Sequence, residues 1–377
     1  MKVESFVNML MEILGADFYT GVPDSQLKAL CNYLYKKEET GEIQHIIAAN
    51  EGNAVGIAAG YHLATGKTPI VYMQNSGEGN AINPLASLLN DKVYAIPTLF
   101  VIGWRGEPGI HDEPQHIYQG EVTLELLKVM DVECMVLEKE TGEDMLRDEL
   151  QRSLEILKQG KSVAIVVRKG ALSYEEQVSF VNGASMKREE IIEHIVKVSG
   201  DNPIISTTGK TSRELFEIRE RNGESHEKDF LTVGSMGHSS SIALGIAMSK
   251  PKERIWCIDG DGSALMHMGA MAVIGKKKPD NLVHIVINNG AHESVGGFPT
   301  AADEVDLVGV AKACGYKYVA RAVDFAELDK ELNIIKEMKE LCFLEIKSAI
   351  GSREDLGRPT TKAIDNKTAF MEFLKRI

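Results

Sequence analysis

Two short apolar runs, each ending on a turn of small polar residues, constrain this chain most. Arg254 to Ile258 runs into Asp259-Gly260-Asp261-Gly262-Ser263, and Leu282 to Ile287 runs into Asn288-Asn289, which begins 26 residues after Gly262. Runs this short and apolar, with a helical pattern between them, read as strands buried on both faces. Such strands belong to a parallel sheet covered by helices on either side. Both turns then lie at the carboxyl ends of their strands, where open parallel sheets bind ligands. Asp261 and Asn289 can converge there as oxygen ligands of one hard cation such as Mg2+, which usually shares its shell with phosphates. Gly260 and Gly262 let backbone approach a diphosphate closely. Each half also has an ordinary explanation, since Gly-Asp-Gly is a common turn and Asn289-Gly290 a hairpin signal. Their joint appearance at two strand ends favours a ligand site.

The same strand-and-helix rhythm fills the chain. Strands are expected at 17–19, 43–48, 69–73, 97–102, 134–137 and 162–167, with helices at 25–37, 52–64 and 142–158 among them. A second set follows at 203–206, 230–233, 254–258, 282–287, 316–319 and 342–346, with helices at 187–198, 239–248, 265–276 and 325–339. The fold class is therefore α/β, with two mostly parallel sheets flanked by helices. The polar stretch 173–186 breaks the rhythm, so the expected domains are 1–175 and 187–377, joined by a linker at 176–186.

Composition narrows the function. A formal net charge of −13 argues against a nucleic-acid partner. No apolar run is long enough to span a membrane, and no basic-then-apolar leader is visible. Cys31, Cys134, Cys257, Cys314 and Cys342 show no paired metal-ligand spacing, which points to free thiols in a reducing cytoplasmic setting.

Three further segments carry candidate chemistry. Glu51 stands between an apolar strand and a small-residue helix, where it could be a dipole-stabilised helix acid or a functional carboxyl. Gly234-Ser235-Met236-Gly237 precedes a helix, as a phosphate cradle or a tight turn would. The 103–116 loop holds Arg105, His111 and His116, which suit anion binding and proton transfer, although it could be a solvated connector. Gly21 to Ser25 could cap the next helix.

Taken together, the Gly-Asp-Gly…Asn-Asn pair, Glu51, the 234–237 turn, and the segments 18–25, 103–116, 288–297 and 351–360 resemble the thiamine diphosphate-dependent 2-oxoacid decarboxylases. The resemblance spans nearly the whole chain. It implies a pyrimidine-binding domain followed by a diphosphate-binding domain, with thiamine diphosphate and Mg2+ as cofactors. It makes Asp261, Asn289 and the backbone oxygen of Ala291 metal ligands, and Gly234, Ser235, Met236, Gly260, Gly262 and Ser263 cofactor-binding residues. Met236 would lie beneath the bent cofactor, and Glu51 would hydrogen-bond its aminopyrimidine ring. Asp24, with Ser25 as its rival, would face the substrate.

The implied reaction is decarboxylation of 3-phosphonopyruvate in phosphonate biosynthesis, with sulfopyruvate as the rival substrate. A non-catalytic cofactor-binding partner protein is the alternative from another class. An anionic substrate needs cations, for which Arg105, Lys210, Arg213 and Arg358 are candidates, while His111 and His292 are candidates for protonation. The resemblance also implies a homodimer or larger homo-oligomer with active sites shared between subunits.

Overall fold

The computed structural model describes Met1–Ile377, and its contacts divide the chain into two compact units, Met1–Ser179 and Phe180–Ile377. The first unit contains β1 (Phe18–Gly21), β2 (Gln44–Ile47), β3 (Ile70–Gln74), β4 (Leu99–Gly103), β5 (Glu133–Leu137) and β6 (Val163–Val167). Its helices are α1 (Val3–Leu14), α2 (Lys28–Glu39), α3 (Glu51–Thr65), α4 (Glu78–Pro84), α5 (Pro114–Val129) and α6 (Glu143–Leu157). All pairings are parallel, in the order β2-β1-β3-β4-β6-β5. β4 and β6 are buried along their whole length. That explains their unbroken apolar sequences, each such side chain contributing about 1.5–3 kcal/mol on burial.

The second unit contains β7 (Ile204–Ser206), β8 (Asp229–Leu231), β9 (Ile255–Gly260), β10 (Leu282–Asn288), the small pair β11 (Ala291–His292) and β12 (Phe298–Pro299), β13 (Tyr318–Ala322) and β14 (Cys342–Lys347). Its helices are α7 (Arg188–Ser199), α8 (Lys210–Asn222), α9 (Ser239–Ser249), α10 (Asp261–Met266), α11 (Gly269–Lys277), α12 (Leu307–Cys314), α13 (Phe325–Glu337) and α14 (Ala363–Arg376). The main sheet runs β8-β7-β9-β10-β14-β13, again all parallel. Position for position this is the order of the first sheet. In each, the chain winds one way from the first strand and the other way from the third. The crevice for ligands therefore opens at the carboxyl ends of β1 and β3, and of β7 and β9.

Three local expectations change. α2 starts at Lys28 rather than Ser25, because Asp24 Oδ2 accepts the backbone N–H groups of Gln26 (3.0 Å) and Leu27 (3.3 Å) and holds them in a turn. The helix expected over 265–276 is two, because α10 begins at Asp261 and the chain leaves helical geometry at His267. The 103–116 loop ends at Glu113, since Pro114 opens α5 and puts His116 in its first turn. No helix is long and apolar enough to cross a membrane.

Candidate active site

In the first unit the site forms where β1, β2, β3 and β4 end. Asn50 caps α3 by accepting the Asn53 N–H at 2.9 Å. Glu51, the first helical residue, is thereby spared capping duty. Its carboxyl is buried, and Oε2 accepts a hydrogen bond from Asn80 Nδ2 at 2.7 Å. Gly77 is glycine for a steric reason, since a Cβ there would come within 2.4 Å of Glu51 Oε1. The 77–80 turn thus wraps this one carboxyl.

Sequence reasoning missed Glu78 in that turn. It is buried, Oε1 has no partner, and burial pushes its pKa from the ordinary 4.5 to about 8. Nothing in its polar neighbourhood signals this; a tertiary contact buries it. Because the folded state holds this proton more tightly than the unfolded chain, the stability it confers is full below pH 4.5. It is lost as pH rises to about 8. Glu78→Gln is expected to be more stable than the parent at pH 8, by about 3–5 kcal/mol at most, and indistinguishable at pH 4.5. Denaturant unfolding across that range checks this, and parallel pH profiles would contradict it.

Asp24 is fully buried. Beyond its two backbone bonds, Oδ1 accepts from Gln74 Nε2 at 2.6 Å, and burial pushes its carboxyl up against those bonds and the nearby Arg105 charge. Its oxygens serve the turn after β1, while Ser25 Oγ accepts from Arg105 Nη1 at 3.0 Å. The Arg105 guanidinium forks onto Asp112, with Nε to Oδ2 at 2.7 Å and Nη2 to Oδ1. Burial raises the Asp112 carboxyl, but Arg105 and two backbone N–H bonds outweigh that and hold it well below the usual range. An anion bound by Arg105 would have to compete with Asp112. His111 lies exposed on this loop, whereas His116 is buried with Nδ1 unpartnered, and burial lowers its pKa.

In the second unit, the register pairing Ile287 with Gly260 puts Asp261 and Asn289 just beyond the last matched residues of β9 and β10. Asp261 is buried, Oδ2 accepts from Thr300 Oγ1 at 2.6 Å, and burial pushes the carboxyl up to about 6. Asn289 Oδ1 accepts the Ala291 N–H at 3.1 Å and retains a second lone pair. A carboxylate, an amide oxygen and a backbone carbonyl make a hard oxygen set suited to Mg2+. A divalent cation would relieve the cost of burying the Asp261 charge. Asn288, by contrast, is structural: its Nδ2 donates to Glu345 Oε1 and to the Ala302 carbonyl.

The cradle residues surround this turn. Gly234, Ser235 and Gly237 all have positive φ, at 67°, 46° and 87°. Only Ser235 pays for this with a side chain, the kind of strain that accompanies ligand turns. Ser263 Oγ accepts from Gly237 N and from Thr207 Oγ1, both at 3.0 Å, so it ties three loops together. The Cα face of Gly262 looks onto Met236 Cε and the His292 ring, each 3.3 Å from where a Cβ would stand. Gly262, Met236 and His292 thus meet at one spot. The protein packed around the His292 ring lowers its pKa to about 4, although an edge reaches solvent, so the ring is neutral at pH 7.

Glu293 is the second residue sequence reasoning passed over. Its carboxylate accepts from Arg188 (2.8 and 3.3 Å), Lys210 Nζ (2.8 Å), Asn289 Nδ2 (2.9 Å) and Gly351 N (3.1 Å). Burial works against its charge, but Arg188 and Lys210 prevail and hold its pKa at about 2. Glu293 thereby links Asn289 to a cleft of about 370 Å3 lined by Lys210, Arg213, Ser352, Arg353, Glu354 and Leu356. Lys210 keeps donors to spare beyond Glu293. Arg213 donates to the carbonyls of Leu356 and of Gly357 (2.6 Å), pinning the segment that carries exposed Arg358.

Residues 1–127 match the thiamine pyrophosphate enzyme N-terminal TPP binding domain, and residues 207–346 its C-terminal TPP binding domain. The phosphonopyruvate decarboxylase of Streptomyces viridochromogenes is 33% identical over 96% of this chain and 92% of its own length. That of Streptomyces hygroscopicus is 34% identical over 96% of this chain and 91% of its own length. The sulfopyruvate decarboxylase of Methanosarcina acetivorans is 28% identical over 91% of this chain and 90% of its own. The chain belongs to the thiamine pyrophosphate enzymes and is a carboxy-lyase of their phosphonopyruvate and sulfopyruvate decarboxylase group.

Proposed function

We propose that this protein decarboxylates 3-phosphonopyruvate to phosphonoacetaldehyde and CO2, with Mg2+ as the metal, in phosphonate biosynthesis. The observation that carries this choice over the sulfonate is the higher identity, across nearly full length, to two phosphonopyruvate decarboxylases than to the comparably long sulfopyruvate decarboxylase of Methanosarcina acetivorans. The cation-lined cleft beside Glu293 supports a substrate that bears a second anionic group. A substrate series tests the reading: kcat/KM for phosphonopyruvate is expected to exceed that for sulfopyruvate and pyruvate, and a preference for sulfopyruvate would overturn it.

Thiamine diphosphate, when bound, supplies the electron sink that side chains lack. The chain supplies everything else. Asp261, Asn289 and the Ala291 carbonyl hold the metal, and the 234–237 turn with Gly260, Gly262 and Ser263 receives the diphosphate. Met236, beside Gly262, would pack against the cofactor, its thioether adapting to the gap. Glu51, with Oε2 fixed by Asn80, holds and moves a proton at Oε1. His292, as neutral imidazole, offers one N–H and accepts at the other nitrogen. Asp24 positions the loop after β1, Arg105 binds that loop through Ser25, and His111, exposed on the same segment as Arg105, is a candidate for protonation.

Lys210 binds the phosphonate with the donors Glu293 leaves it. Lys210→Met is expected to raise KM for phosphonopyruvate about 10- to 100-fold, the worth of one charge-assisted hydrogen bond, with little change for pyruvate. Equal changes for both substrates would remove Lys210 from that role. The active form is a homodimer or larger homo-oligomer, in which subunits complete each other's sites. A mass in solution equal to the single-chain 41.4 kDa would contradict it.

A further inference from the structure

We infer that Cys257, Asp259 and His284 form a buried site for a divalent transition metal ion of the Zn2+ type, separate from the oxygen-lined turn. Cys257 and Asp259 project from the same face of β9, and His284 on β10 lies directly across from Cys257 in the sheet register. All three are buried, and their donor atoms lie within 4.8 Å of one another. A thiol, an imidazole and a carboxylate are the donor types that zinc accepts, whereas Mg2+ avoids sulfur.

Two of the donors are unexplained without an ion. Asp259 Oδ2 and His284 Nε2 are both buried with no hydrogen-bond partner, and they face each other at 3.6 Å. That is too long for a hydrogen bond. It is close to the ~3.4 Å that separates two ligands of a tetrahedral ion with bonds of about 2.0–2.1 Å. Native proteins rarely leave two such buried polar atoms without a hydrogen bond.

The outer shell is also in place. The other ring nitrogen of His284, Nδ1, lies 3.1 Å from the Tyr316 hydroxyl, and Asp259 Oδ1 accepts the Gly260 N–H at 3.0 Å. Such contacts orient imidazole and carboxylate ligands toward a metal. Burial keeps the Cys257 thiol protonated in the metal-free protein. Binding forms the metal–sulfur bond and releases that proton to solvent, and because all three ligands are buried the ion enters as the chain folds. Three protein ligands leave a fourth position for water. The ion would lock β9 to β10 just ahead of Asp261 and Asn289, fixing the spacing of the two turns. This is a site within one strand pair and does not depend on which 2-oxo acid is the substrate.

The test is the metal content of the full chain, purified without added metal and dialysed against EDTA to strip weakly held Mg2+. About one zinc per chain is expected by mass spectrometry, and protein refolded with Co2+ should develop a thiolate-to-cobalt absorption band. Tyr316→Phe should lower zinc affinity about 10-fold or more, the usual cost of losing an outer-shell partner. Cys134→Ser, at an exposed strand position, should change nothing. Wild-type protein that takes up neither Zn2+ nor Co2+ on refolding would overturn the inference, as would a folded Cys257→Ser variant that keeps its full zinc and its cobalt band.

Discussion

Glu51→Gln should bind thiamine diphosphate with near-normal affinity and turn over about 10² to 10⁴ times more slowly, the usual worth of a positioned proton-transfer group. The substitution keeps size and an acceptor for Asn80 Nδ2, so the 77–80 turn and its close approach at Gly77 stay intact. What it removes is the ionisable oxygen facing Gly77. The competing account of Glu51 is that of an acid at a helix N-terminus, worth about 0.3–1 kcal/mol of stability. That account predicts a small loss of stability and ordinary turnover. Steady-state kinetics beside thermal unfolding separates the two, and near-normal kcat would return Glu51 to a structural role.

Asp261→Ala should weaken metal-dependent cofactor binding by at least about 100-fold, more than losing an outer-shell partner would. The buried carboxyl is expensive to keep in the metal-free protein, since burial outweighs the Thr300 and backbone hydrogen bonds and pushes it up to about 6. Its removal is therefore expected to leave the apoprotein as stable as before, within the cost of one lost hydrogen bond from Thr300, about 1 kcal/mol. Cofactor titration at fixed Mg2+, with unfolding of the apoprotein alongside, reads both quantities. Unchanged cofactor affinity would deny Asp261 a metal role.

The strands were legible because their burial is written in continuous apolar runs; β4, β6 and β10 are buried throughout and were placed within a residue or two. Helix starts were less legible where a side chain competes with the backbone. Asp24 delays α2 by taking two N–H groups, and no propensity scale contains that choice. Asp261 and Asn289 emerge from sequence because both lie at strand ends, where topology alone gathers groups. Arg105 and Asp112 stand seven residues apart in one quoted loop, yet their pairing depends on how the loop folds back. Arg213, a clamp candidate on the cleft wall, also holds the carbonyls of Leu356 and Gly357, a tertiary contact that no local pattern reveals. Glu78, Arg188 and Glu293 were hidden for a common reason. Charged residues in polar surroundings read as surface, and only tertiary packing buries Glu78 or closes the Arg188–Glu293–Lys210 cluster.

The most direct measurement is CO2 and aldehyde release from phosphonopyruvate by the full-length protein, with and without thiamine diphosphate and Mg2+. The account predicts turnover only when both are present, with phosphonoacetaldehyde as the product. Equal release without the cofactor, or none with both bound, would contradict it.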